Sequence, residues 1–378
     1  MKSRGSERRV LIAAQCNDHS AHLAGVPTRE FFTDAETFAH TQLLTTAYYG
    51  LDAPNNLWDV YNIEAEALGQ KIVYPPDGIP DADRSDPLIK SPADLGKLKI
   101  PDPFKSGRMP WVHRINQLYL KKTGRPARAY FCAPFSLAVN LRGYENLIAD
   151  MALRPDFAHD LFRFLCDEVL VPYIEAMRSA VDSPGLLADG NDAWASPPLI
   201  TPDMMDEYVV AYTERLRSKL GDKVVTRGNW GDAKSRDPER FMAQKLRCSP
   251  RVLSILDPDL NDIGPERVKA FARDRDVYIT AGIDATLLRK GPAEAVAARI
   301  KEYIDVLGRD GNFAIYLNQI PAEPPAEHIH AAVAACHAYG RYPIAETLDD
   351  IEIEFPERES FSDFVRRRAE NSSPGLVT

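Results

Sequence analysis

Short apolar runs alternate with longer amphipathic stretches along most of the chain. Residues 128–134 (Arg-Ala-Tyr-Phe-Cys-Ala-Pro) follow the turn Gly124-Arg125-Pro126, and residues 185–189 (Gly-Leu-Leu-Ala-Asp) form a second run. Val224-Val225-Thr226 follows Gly221-Asp222. Residues 252–256 end at Asp257-Pro258, residues 277–280 lead into Ala281-Gly282-Ile283-Asp284, and residues 313–317 end at Asn318-Gln319. Runs this short and this apolar predict buried parallel strands. Between them, residues 156–180 carry Phe157, Leu161, Leu165, Val169 and Tyr173 at every fourth position, which predicts a helix. Residues 202–220 follow Thr201-Pro202, an N-cap and first-turn pair. Helical spacing returns over 292–307 (Val296, Ile300, Tyr303, Ile304) and over 325–339. This alternation predicts an α/β protein, either a (β/α) barrel or a doubly wound sheet.

Several runs end in polar residues: Asp189, Asp257, Asp284 and Asn318. A barrel would gather them at its C-terminal mouth, although an Asp after a strand also caps the next helix. Residues 70–110 break the pattern. They are rich in Pro, Asp and Lys (Tyr74-Pro75-Pro76-Asp77-Gly78, Ile100-Pro101-Asp102-Pro103) and predict an irregular rim or lid. The tail from 345 is charged (Glu352, Glu354, Arg366, Arg367, Arg368) and predicted peripheral. The expected organisation is one domain over 1–344, with an excursion at about 70–110, and a tail over 345–378. No G-x-G-x-x-G or G-x-x-x-x-G-K-[ST] motif signals a nucleotide fold.

Composition narrows the classes. With 44% hydrophobic and 27% charged residues over 378 positions, the chain is globular and needs no disulfide staples. A net charge of -9 argues against a nucleic-acid-coating surface. The cysteines at 16, 132, 166, 248 and 336 have irregular gaps and read as reduced thiols, so the expected location is cytoplasmic. No apolar run is long enough to span a membrane, and no hydrophobic region of signal-peptide length follows the charged first residues.

Candidate chemistry falls in three clusters. His19 and His22, on one helical turn, would face the same way as a proton shuttle or ligand pair. Asn55, Asn56, Trp58 and Asp59 suit a polar ligand oriented on an aromatic wall. The third combines residues 189–194 (Asp-Gly-Asn-Asp-Ala-Trp), with Asp192 the contact, and Arg227, Asn229 and Trp230. Arg227 would pair a substrate carboxylate or phosphate, or else a structural acid such as Asp257 or Asp232. Lys245 and Arg247 before Cys248 would favour its thiolate, but its place is in a helix. Cys166 and Cys336 read as packing residues, and His328, His330 and His337 as solvated on the last outer helix.

Ala65-Glu66-Ala67-Leu68-Gly69, Ser85-Asp86-Pro87-Leu88-Ile89, Asp94-Leu95-Gly96-Lys97-Leu98, Ala133-Pro134-Phe135-Ser136-Leu137, residues 281–288 (Ala-Gly-Ile-Asp-Ala-Thr-Leu-Leu) and Ala338-Tyr339-Gly340 occur in this order. Together they resemble the uroporphyrinogen decarboxylase superfamily over about residues 40–342. The resemblance implies a (β/α)8 TIM barrel. It also implies either a porphyrinogen decarboxylase or a methyltransferase exchanging methyl groups with corrinoid proteins and thiol acceptors. Asp59 matches the family's acid at the end of the first barrel strand. Asn140 stands where the family has a substrate-contacting tyrosine. Leu317-Asn318-Gln319-Ile320 replaces its glycine-flanked histidine, and no arginine loop precedes position 50. These departures point away from uroporphyrinogen itself.

The methyltransferase branch usually carries zinc on a mid-chain His-x-Cys and a late Cys. Here Arg227-Gly228-Asn229-Trp230-Gly231-Asp232 and Asn318 stand at those positions, so the usual motif is absent and no metal ligand is assigned. A set drawn from Cys16, His19 or His22 with Asp59, Asp192 or Asp257 lacks compact spacing. The resemblance implies a methyltransferase or O-demethylase acting on a small methylated or methoxylated compound, with a corrinoid protein or folate-type acceptor. Asp59, Asp192 and His19 would be catalytic. His22, Asn56, Trp58, Asn140, Arg227, Asn229, Trp230, Asp257 and Asn318 would bind substrate. Relatives commonly form homodimers. A decarboxylase or lyase gripping a carboxylate through Arg227 or Arg142, and a ligand-binding barrel without chemistry, are the alternatives.

Overall fold

The computed structural model describes residues 9–371 apart from positions 56, 60, 77 and 356. In chain order the strands are β1 (Leu11–Ala14), β2 (Ile72–Val73), β3 (Asp81–Ala82), β4 (Ala129–Cys132), β5 (Ala188–Asn191), β6 (Val224–Arg227), β7 (Val252–Leu256), β8 (Tyr278–Ile283) and β9 (Phe313–Leu317). β2 and β3 are a small antiparallel pair inside the predicted rim excursion. All the others run parallel in two arcs, β1-β9-β8-β7 and β4-β5-β6, with helices between them. This is the wall of a (β/α) barrel.

Six of these strands fall on the predicted apolar runs. β1 does not: it is four residues long and lies close to the charged start of the chain. The strand expected to end at Asp59 is a correction, because residues 57–59 form no ladder. The cause is local. Pro54 lacks a backbone donor, and side chains take the neighbouring backbone groups. Tyr119 donates to the Asn55 carbonyl (2.6 Å), Asn17 Nδ2 to the Trp58 carbonyl (3.4 Å), and the Leu57 N–H to Asn55 Oδ1 (3.2 Å). Of the two gaps between the arcs, β6 to β7 and β1 to β4, the described residues of this segment lie at the second. Asp52 N–H donates to the Ile12 carbonyl of β1 (3.0 Å), while the Trp58 ring meets Tyr130 of β4 edge-on at 5.4 Å.

Side chains alternate along the wall. Ile12, Leu253, Ile255, Phe313 and Ile315 are buried against the helices. Their neighbours Ala13, Ser254, Ala314 and Tyr316 face the barrel interior and are only half-buried. The predicted helices are present, and three of them contain a wide π turn, at Leu165–Leu170, Met205–Val210 and Ile304–Gly308. Thr201 caps its helix by accepting from the Met204 N–H (3.2 Å). Phe31, Phe32 and Phe38 are fully buried beside Trp111, each contributing about 1.5–3 kcal/mol. The helix Phe361–Asn371 in the tail lies on the helix Ala35–Tyr49, with Phe361 and Phe364 edge-on to Tyr48. His328 is not solvated as expected. It is buried and bonded to the Leu288 carbonyl (2.9 Å), because its face of the helix turns inward.

After β6 the chain is pinned by a buried ion pair. Lys245 Nζ donates to both Asp232 oxygens at 2.9 Å, and Asp259 accepts the Gly231 and Ala233 N–H groups. Gly231 has φ +82°, and a Cβ there would meet the Pro197 carbonyl at 2.0 Å, so only glycine fits. Lys245→Met would leave Asp232 buried without its cation. We expect a loss of about 3–5 kcal/mol in urea unfolding, with Asp232→Leu/Lys245→Met recovering much of it.

Candidate functional site

The mouth of the barrel is built around the end of β4. Three carboxyl groups, Asp59, Glu64 and Asp192, lie close enough to the Cys132 thiol to act on it electrostatically, and all three are buried. Each is held differently. Arg108 Nη2 and Asn62 Nδ2 both donate to Asp59 at 2.5 Å, and Arg108 Nε also reaches Glu66 (2.5 Å). Burial raises the Asp59 carboxyl, and the Arg108 charge offsets only part of that. Glu64 accepts the Cys132 backbone N–H (2.9 Å) through one oxygen. Burial pushes its carboxyl up to about 8. Asp192 accepts the Ser136 N–H and hydroxyl, both at 2.8 Å, through Oδ1. Among the described residues no cation pairs with it, and burial pushes it up to about 7.

Beyond these bonds, several polar atoms at this end of the barrel are buried without a partner: Glu64 Oε2, Asp192 Oδ2, Asn62 Oδ1, Trp58 Nε1 and Asn229 Oδ1. A buried polar atom left unpaired costs about 1–3 kcal/mol, so such a group at a barrel mouth marks a place for a ligand or water. A carboxylic acid that keeps its proton near neutrality, with one oxygen fixed and the other free, is equipped to donate that proton.

The other predicted residues are distributed unevenly around this centre. His19 is buried. Its Nδ1–H donates to the Ala322 carbonyl (3.1 Å) and its Nε2 accepts from Tyr49 (2.6 Å). Burial lowers it to about 4, so it is neutral with both nitrogens committed. His22 does not share its face; it is exposed on the same short helix, Asn17–Leu23. Asn140 links the rim to the wall, donating to the Tyr61 carbonyl (2.6 Å) and accepting from Arg84 (3.0 Å). Trp58 is buried, Trp230 is exposed, and Asn318 follows β9 half-buried. Asn56 lies outside the described residues. Asp257 is tied to Tyr303 and Arg299 on an outer helix rather than to the mouth. Asp284 caps the helix after β8 by accepting from the Thr286 N–H (2.7 Å).

Arg227 requires a correction. It pairs with neither Asp257 nor Asp232 but grips Asp189 through Nε (2.7 Å) and Nη2. β5 starts three residues later than the predicted run, which places Asp189 inside the barrel rather than at the strand's end. Arg142 is engaged away from the mouth, on Asp150 (2.7 Å) and on the Ile89 and Lys90 carbonyls. Sequence reasoning missed Glu64, Ser136 and Arg108. Glu64 stands one residue before the Ala65–Gly69 motif, and Ser136 lies inside the 133–137 motif. Arg108 carries no local signal.

The zinc site usual in the methyltransferase branch does not fit these residues. Arg227, Asn229 and Asn318 offer no thiolate or imidazole. Cys16 is buried against Gln42 (3.6 Å), with its thiol pushed up to about 12, and Cys248 is likewise buried, at about 11. Among the described residues no three His, Cys, Asp or Glu side chains converge as a metal-binding group. In the folded protein Asp192 holds its proton well above the ordinary 3.8. Its contribution to stability is therefore present below the unfolded value and is lost as pH rises from about 4 to about 7. Asp192→Asn should flatten that part of the stability–pH curve, measured by urea unfolding at a series of pH values.

Among the described residues no helix is long and apolar enough to cross a membrane. A search of curated proteins finds no match. Among solved structures, a methyltransferase from Methanosarcina mazei superposes with a TM-score of 0.71 at 19% sequence identity, covering 87% of this chain and 94% of that one. At that identity the likeness establishes the fold. The sequence profile of the uroporphyrinogen decarboxylase (URO-D) family matches residues 14–339, spanning every barrel strand but the first three residues of β1. The chain belongs to the uroporphyrinogen decarboxylase family.

Proposed function

We propose that this protein is a methyltransferase that removes a methyl group from a small methylated or methoxylated compound and passes it to an external acceptor, a corrinoid protein or a folate-type carrier. The observation that carries the reading is Asp192: buried, with Ser136 on one oxygen, the other oxygen unpartnered, and its carboxyl raised to about 7. The similarity in fold to the Methanosarcina mazei methyltransferase supports it.

The chemistry follows from the leaving group. When a nucleophilic acceptor takes the methyl carbon, the carbon–oxygen or carbon–nitrogen bond breaks and its electron pair stays on the departing atom. An alkoxide or amide is a poor leaving group unless a proton reaches that atom as the bond breaks. Asp192 would supply it and take up another from solvent between turnovers. Ser136 donates two hydrogen bonds to Oδ1, which fixes the group and steadies the carboxylate it becomes. Glu64, raised to about 8, would hold a second proton in reserve close by. Asp59 keeps its ion pair with Arg108 and would serve to position Trp58 and Asn62.

A panel of methoxylated and N-methylated compounds, offered with a reduced corrinoid protein or with tetrahydrofolate, tests the reading. Demethylated product should appear only with an acceptor present. Its rate should fall as pH rises past about 7, where Asp192 loses its proton. Asp192→Asn should lower kcat by about a hundredfold or more and remove that limb of the profile. Release of carbon dioxide from a carboxylated compound, with no methyl transferred, would instead establish the decarboxylase reading.

A further inference from the structure

Inside the barrel, below the carboxyl cluster, one acid is held by two arginines. Asp189 of β5 accepts from Arg227 of β6 and, through Oδ2, from Arg128 Nη1 at 2.9 Å. Asp189 itself is buried. Two guanidiniums against one carboxylate leave one positive charge in excess. Besides one another, the side chains that act most strongly on these groups are Tyr130 and Tyr316, both neutral phenols. Neither guanidinium is used up: Arg227 donates to Asp189 through Nε and Nη2, while Arg128 donates to Asp189 through Nη1 and also engages the Tyr130 phenol.

The surroundings show where this charge points. Tyr316 belongs to β9, in the opposite arc, yet it interacts with Tyr130, Arg128 and Arg227. These side chains therefore lie near enough across the interior to feel one another's charge. Although closely surrounded by protein, they keep access to water: the Arg128 side chain is 44% exposed and that of Arg227 19%. The facing wall is lined by the small residues Ala13, Ser254, Thr280 and Ala314, all half-buried. The result is an interior with room, aromatic rings on its walls and a surplus cation. Arg128 stands just before β4, at the deep end, whereas Cys132 closes β4 at the mouth.

We propose that the barrel interior is an anion seat and that the substrate is a small methylated aromatic carboxylate, its carboxylate on Arg128 and Arg227 and its methyl toward the mouth. This rests on the methyl-transfer reading for the methyl group, but not for the carboxylate. The order of the parts is dictated by access. An acceptor carried by another molecule reaches only the mouth, so the anchoring charge belongs at the depth and the reacting end above it. Tyr130, Tyr316 and the Trp58 edge would flank a ring, while the two guanidiniums offer their unused N–H groups to the carboxylate.

The test is equilibrium binding without any acceptor, by calorimetry, using 4-methoxybenzoate and its neutral analogue 4-methoxybenzamide. The wild-type protein should bind the carboxylate at least tenfold more tightly than the amide. Arg128→Gln, which leaves the two-pronged Arg227–Asp189 pair in place, should abolish that preference, and Arg128→Lys should restore part of it. Equal affinity for the two compounds in the wild type overturns the proposal, even if no variant folds. So does an Arg128→Gln protein that folds and keeps the full preference. The methyl-transfer reading is judged separately. Tight, Arg128-dependent binding of the carboxylate with no demethylated product on adding an acceptor would remove that reading and leave the anion seat standing.

Discussion

One place in the barrel wall is closed by side chains instead of by a ladder. Residues 52–55 and 57–59 lie where a strand would join β1 to β4, and the side chains of Tyr119, Asn55 and Asn17 take backbone groups of Asn55, Leu57 and Trp58. Asp52 locks the segment to β1 by accepting the Ile12 N–H (2.8 Å) and the Arg9 guanidinium. Asn17 Oδ1 takes two further donors, Gln42 and Asn55, so a buried amide network ties the end of β1 to the helix behind it. A ladder would tolerate many sequences here. This arrangement requires particular ones, because a lost partner leaves a buried polar group unpaired. In return, Trp58 and Asp59 reach the mouth from irregular backbone, and Asn62 and Glu64 follow at the start of the helix Ile63–Leu68.

The same fact explains what could be read in the sequence and what could not. Six strands and the long helices declare themselves through apolar runs and fourfold spacing, since burial on both faces leaves a strong local signature. β1 is too short to do so. Segment 52–59 has no period at all, and only the family resemblance drew attention to Asp59. Asp192 was legible as an acid after a strand, but its isolation from any cation was not, because that depends on what lies across the barrel. Arg227 shows the limit most clearly. Its partner stands on the neighbouring strand at a register position set by the placement of β5, and a shift of a few residues in that boundary separates an acid at the mouth from an acid in the interior.

Charge is handled differently at the two depths. At the mouth, acids outnumber cations: Asp59 has Arg108, whereas Glu64 and Asp192 have only hydrogen-bond donors and are pushed toward their neutral forms. In the interior the imbalance is reversed: against the cost of burial, two guanidiniums lower Asp189 and keep it a carboxylate. Within one barrel, this separates groups suited to giving up a proton from groups suited to holding a negative charge.

The shared carboxylate of Asp189 also bears on how such a barrel diversifies. With Arg227 gripping Asp189 through two nitrogens, the buried acid keeps a cation when a neutral residue stands at 128. A lineage can therefore vary position 128 without first repairing the fold. Redundancy in a structural ion pair thus becomes freedom in specificity: the wall remains standing while the charge, size and shape presented to the interior drift toward a new occupant.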